Sequence, residues 1–173
     1  MSMRSCFLAA VGVVVCNAAV AESPNLGRVA GAEEIATWDI SIGPDGAGLP
    51  PGSGAQQGEA VYIAKCLACH GEKGVGKPND ALVGGRGTLA GDQTPIKTVG
   101  SFWPYATTLF DYVRRAMPLN ESKSLSNDEV YAVVAYLLQL NGIIGEKDTM
   151  NAQTLAKVRM PNADGFVTFA RGK

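Results

Sequence analysis

The sequence predicts a mainly α-helical domain, with an extended arm before it and a tail after it, on three observations. Ser126-Asn127-Asp128-Glu129 is a capping box, and it opens a helix carrying Val130, Val133, Val134, Leu137 and Leu138 that stops at Asn141-Gly142. A second helical pattern, Ala60-Val61 followed by Ile63-Ala64, occupies residues 55–65. It runs straight into Cys66-Leu67-Ala68-Cys69-His70, the stretch around which the chain is organised.

Cys-x-x-Cys-His is the signature of covalent c-type haem attachment: both thiols add to the haem vinyls, and the adjacent imidazole becomes an axial iron ligand. A redox dithiol would want a thioredoxin-like βαβ context, and the sequence has none. Zinc fails on ligand supply. His70 is the single histidine in 173 residues, and the other two cysteines, Cys6 and Cys16, lie in a segment expected to be removed. The expected cofactor is one covalently bound haem c on Cys66, Cys69 and His70.

The elements follow in order. Residues 1–21 place Arg4 before an apolar run from Cys6 to Val20 and end in Ala19-Val20-Ala21, the pattern of a secretory signal peptide cut after Ala21. The run falls short of the roughly 18 to 20 apolar residues that cross a bilayer, so no membrane span is expected in the mature protein. Val15 is also bulky for the residue before a lipidated cysteine. A periplasmic location is expected. Cleavage removes one cation and no acid, so the mature net charge is one unit more negative than the −1 of the whole chain. Nucleic acid is not an expected partner at that charge, and electrostatic docking must use local patches. Both remaining cysteines belong to the haem motif, which leaves none for a structural disulfide.

Residues 22–54 are rich in breakers, including Gly43-Pro44-Asp45-Gly46 and Pro50-Pro51-Gly52, and read as an extended arm with no helix. Within it Trp38, Ile40 and Ile42 alternate with polar residues. That strap either packs Trp38 on the domain or lies on a partner protein. Residues 55–142 form the haem domain. Gly58 and Tyr62 share a helix face on which glycine permits a close crossing, with Tyr131, Ala135 and Leu138 as the expected other half. A carbonyl of the Gly71–Pro78 loop, with Pro78 the named candidate, would accept the other ring N–H of His70.

Gly84, Gly85 and Gly87 suggest close backbone approach to the porphyrin edge, with Arg86 either pairing a haem propionate or standing in solvent. Trp103 and Tyr105 are expected against the haem, their N–H and O–H groups toward the propionates. A helix over 106–116 ends at Met117-Pro118, and its Arg114-Arg115 is a solvated face or a docking patch. Residues 143–173 show no strong period and form a tail that wraps the domain or a partner.

With one histidine, bis-histidine ligation is impossible. Met117, Met150 and Met160 are the thioether donors of the mature chain. Met117 follows a helix, precedes a proline and is held by the capped last helix, so it is the expected sixth ligand, with Met160-Pro161 as the alternative. Histidine and methionine close both axial sites, which favours electron transfer over oxygen chemistry.

The spacing of His70 and Met117, with the Gly58/Tyr62 face and the final capped helix, resembles a class I monohaem cytochrome c. A narrower resemblance rests on Trp38-Asp39-Ile40, Pro44 to Pro50, Gly84 to Leu89, Lys97 to Tyr105, Asp111 to Pro118 and Met160-Pro161-Asn162. These stretches are similar to the cytochrome subunit of bacterial Sox-type sulfane and sulfite dehydrogenases. That likeness implies electrons received from a molybdenum-cofactor sulfite oxidase-like subunit and passed to a downstream acceptor cytochrome. Three other readings remain: an electron carrier for a different periplasmic dehydrogenase, a haem enzyme, and a ligand-binding haem sensor. The lack of a spare mature cysteine and of a second histidine argues against the enzyme.

Overall fold

The computed structural model describes residues 26–54 and 57–167. The expected signal peptide, 1–21, lies outside them. The described residues form α1 (Ala32–Trp38), α2 (Gly58–Lys65), α3 (Leu67–His70), α4 (Ala106–Ala116), α5 (Asn127–Leu140) and α6 (Ala152–Leu155), with two short 3₁₀ turns. Among them there is no strand, only an isolated bridge between Ser53 and Asn151. The fold is mainly α, as expected.

Helix α5 is the centre. Val130 to Ala135, Leu137 and Leu138 are all buried, so the helix is apolar nearly all round and must be enclosed on every side. Its capping box forms, Ser126 accepting from the Glu129 amide while Glu129 Oε2 accepts from the Ser126 amide at 2.8 Å. Helix α2 crosses one side. A Cβ on Gly58 would overlap the carbonyl of Ala132 and crowd Tyr136, so only glycine permits this approach. Tyr62 packs its ring on Tyr136 at 5.5 Å. The crossing is where the sequence placed it, and Ala132 and Tyr136 are α5 residues that meet Gly58 and Tyr62 there. Tyr131 turns instead to Phe110 of α4, 4.4 Å between ring centres.

The arm is less extended than its composition suggests. Ala32-Glu33-Glu34 supplies a helix former and two acids at a helix N-terminus, enough to nucleate α1 ahead of the glycine-rich part. Nothing in α1 is buried. Trp38 is 73% exposed and Ile42 only 4%, so Ile42 is the residue that anchors the arm in the core. Its amide donates to the buried Asp111 carboxylate of α4 at 2.8 Å. Arg115 pairs with that same carboxylate one helical turn on, and Arg114 donates to the Ile40 carbonyl. Both arginines thus take part in the arm's attachment, Arg115 doing so from a solvent-exposed position.

Further along, Thr107 donates to the Pro44 carbonyl and Tyr131 to that of Pro50. The tail closes beside the arm. The Gly54 amide donates to the Met150 carbonyl, Asn151 caps α6, and Met150, Leu155 and Met160 are buried in the same core. Asn162 donates to the Phe102 carbonyl at 2.8 Å, which ties the described part of the tail to the domain.

Candidate functional site

A cavity of about 820 Å³ opens between α3 and the end of α4. That size is within the range of roughly 300–1,000 Å³ typical of cofactor sites. Cys66, Cys69, His70 and Met117 all line it, together with Leu82, Val99, Leu109, Val113, Val133 and Leu137. The walls are thus mostly apolar, with candidate iron ligands supplied by two separate elements and both candidate thioether donors in the same lining.

The motif is presented by local backbone geometry. Helix α2 ends at Cys66, and the chain re-enters a single turn, α3, whose His70 and Gly71 amides donate to the Cys66 and Leu67 carbonyls. The following loop folds back under it: the Gly76 amide donates to the His70 carbonyl at 2.8 Å and the Asn79 amide to that of Cys69 at 2.9 Å. The ring is then fixed by Asp80, whose carbonyl lies 2.8 Å from His70 Nδ1. A carbonyl can only accept, so Nδ1 carries the proton and Nε2 keeps its lone pair for a metal. The acceptor is therefore Asp80 and not Pro78, because the loop turns two residues later than expected. Cys66 is half-buried, and burial, then the neighbouring Cys69 thiol, pushes its pKa up to about 11. Cys69 is exposed.

Helix α4 ends at Met117, whose extended backbone leaves the helix while its amide still donates to the Val113 carbonyl. Leu109, Tyr112, Val113 and Met117 recur at helical spacing and line the cavity as one stripe. Met160 is 1% exposed, packed in the core and absent from the cavity wall, and Met150 is likewise in the core. Among the described methionines, only Met117 reaches the cavity.

The remaining expected residues divide. Trp103 lines the cavity, with Tyr112 at 5.7 Å. Tyr105 does not: it is the N-cap of α4, largely exposed and off the cavity wall. Arg86 is exposed and donates to the Asn141 carbonyl, so it too is off the wall. Its glycine-rich loop packs on protein, a Cβ on Gly85 overlapping the Ile96 carbonyl, and Asn141 receives the loop by bonding Gly84 and Leu82. Lys97 is the cation that this part of the wall supplies. Sequence reading missed Lys97 and Tyr112. The α4 stripe was a signal for Tyr112, whereas nothing local marks Lys97.

Residues 53–137 match the family model for cytochrome c oxidase, cbb3-type, subunit III. A chain of the solved sulfane dehydrogenase SoxCD from Paracoccus pantotrophus superposes with a TM-score of 0.78 at 42% identity, over 86% of this chain and 74% of that one. The thiosulfate dehydrogenase of Allochromatium vinosum is 30% identical over 114 residues, 65% of this chain and 38% of that protein. The thiosulfate dehydrogenase of Psychrobacter arcticus is 27% identical over 108 residues, 58% of this chain and 32% of that protein. The chain thus spans between about a third and two fifths of the length of these two curated relatives.

Proposed function

We propose, from the premise that the chain belongs to the c-type cytochromes and is a Sox-type member related to the sulfane dehydrogenase SoxCD, that it is the electron-accepting subunit of a periplasmic sulfane or sulfite dehydrogenase. A covalently bound haem c goes with that family and supplies a one-electron iron couple when bound. The residues fit it. Cys66 and Cys69 would carry the thioether bonds, His70 Nε2 and the Met117 sulfur would ligate the iron, and the apolar wall that includes Leu109 and Leu137 would exclude water. Trp103 and Lys97 line the same cavity and would be available as donors to the propionates.

The observation that carries the function is one cavity lined by both candidate iron ligands, His70 and Met117. With both residues bound to the iron, no axial position would be open to substrate, so the chain's residues would hold an electron carrier and leave bond-making chemistry to a partner. The exposed edge at Ala68, Cys69 and Leu119 gives that carrier a surface through which electrons pass. The partner is a molybdenum-cofactor subunit of the sulfite oxidase type, and a second cytochrome takes the electrons onward. The expected signal peptide supports export. No described helix is long and apolar enough to cross a membrane.

The test is to purify the haem-loaded chain with its native partner, analyse the complex for molybdenum and add sulfite or a sulfane substrate. Substrate-dependent haem reduction is expected. A molybdenum-containing complex whose haem stays oxidised contradicts the sulfur assignment. Peroxide turnover by the isolated chain would favour a haem enzyme.

A further inference from the structure

Between Met117 and α5, residues 119–124 are all exposed, and Lys123 adopts a positive φ of 64°, a conformation that costs a non-glycine residue free energy. Two side-chain contacts tie this segment to the rest of the described residues. Glu121 pairs at 3.1 Å with Lys65, the residue immediately before Cys66. Lys123 places its ammonium 4.3 Å from the centre of the Trp38 ring, at the end of α1. Leu119 to Glu121 line the cavity, so both contacts grip the part of the chain that leads directly from Met117.

We propose that Trp38 is a positioning residue for Met117: by holding Lys123 through a cation–π contact, α1 of the arm keeps the Met117 loop closed over the cavity. Trp38 remains 73% exposed and adds little to the core, so fold stability does not account for its place. The Asp111–Ile42 anchor fixes the arm only four residues beyond Trp38, so α1 is delivered to the loop by a short, pinned connection. Seating of the arm and closure of the Met117 loop are thereby coupled. This inference rests on Met117 being the sixth ligand.

The test is a spectral titration of the ferric, haem-loaded full chain with imidazole, which competes with Met117 for the iron without involving any redox partner. If the latch holds the loop, Trp38→Ala raises the apparent affinity for imidazole about two- to fivefold, the range of an exposed cation–π contact. Trp38→Phe is expected to restore most of the parent value. In a Lys123→Gln background, Trp38→Ala is expected to add nothing, a non-additivity that a merely structural tryptophan would not show. Equal imidazole affinity in the parent and Trp38→Ala overturns the latch, as does an increase that persists in full without Lys123. A parent that shows no thioether-to-iron charge-transfer band removes Met117 ligation itself, and so is told apart from failure of the latch.

Discussion

On the His70 side of the cavity the chain is held by its own backbone, whereas on the Met117 side it is held by side chains. Cys69, His70 and Gly71 are bonded through main-chain groups to the loop that follows, and Asp80 fixes the imidazole. Residues 119–124 have the Lys65–Glu121 pair, the Lys123–Trp38 contact and local turns. Backbone bonds within one short stretch close small loops and form together. Side-chain contacts to α2 and to the arm depend on parts of the chain more than fifty residues away, and each is worth little alone. The proximal wall should therefore fail with the whole fold, and the distal wall should loosen while the fold stands.

Gly58→Val tests the first half of that contrast. Its side chain would be driven into the Ala132 carbonyl and Tyr136, separating α2 from α5. The expected loss is about 3 kcal/mol or more, read as a lowered denaturation midpoint of the haem-loaded protein, with the His70 wall lost in the same transition. An unchanged midpoint would mean that α2 is not seated on α5 as described. Asp111→Ala is the next largest. It leaves the Ile42 amide without its acceptor and frees Arg115, at a cost of about 1–3 kcal/mol. Limited proteolysis should then cut the arm before the domain unfolds. Resistance equal to the parent would show that Asp111 does not anchor it.

The same division decides what the sequence could disclose. Cys66 to His70, the capping box at Ser126 and the glycine face of α2 are local signals, legible because each needs only its neighbours. That Met117 lines the cavity was legible for a related reason, since a methionine-proline after one helix and before a capped one has few places to go. The arm's attachment was not. That Ile42 rather than Trp38 is buried, and that Arg114 and Arg115 serve the arm, depends on pairings some seventy residues apart that composition does not encode. For Arg86 its charge and glycine neighbours left two places open, a propionate or solvent, and it is exposed. Asn141, which also caps the end of α5, draws that loop away.

The smaller tests separate the start of α5 from the loop beside it. Glu129 accepts from the Ser126 amide and hydroxyl, which holds its carboxyl below the ordinary value of 4.5. A carboxyl lowered in the folded state contributes stability that is present above its unfolded value and is lost as pH falls through the folded one. Glu129→Gln should therefore cost roughly 0.5–1 kcal/mol at neutral pH and little at a pH below the folded value, since the group is largely in solvent. A variant equally destabilised at both pH values would contradict this. Glu121→Gln is smaller still, about 0.2–1 kcal/mol in global stability. Hydrogen exchange should quicken at 119–124 while 69–76 keep the parent's rates. Equal quickening in both segments would abolish the distinction between the two walls.

The most direct test is the ferric optical spectrum of the haem-loaded protein beside its Met117→Leu and Met160→Leu variants. The parent should be low-spin and six-coordinate with a thioether-to-iron charge-transfer band. That band should vanish in Met117→Leu and survive in Met160→Leu, whose side chain lies in the core. A high-spin, five-coordinate parent, or a band that outlives Met117→Leu, would contradict an electron carrier closed by His70 and Met117.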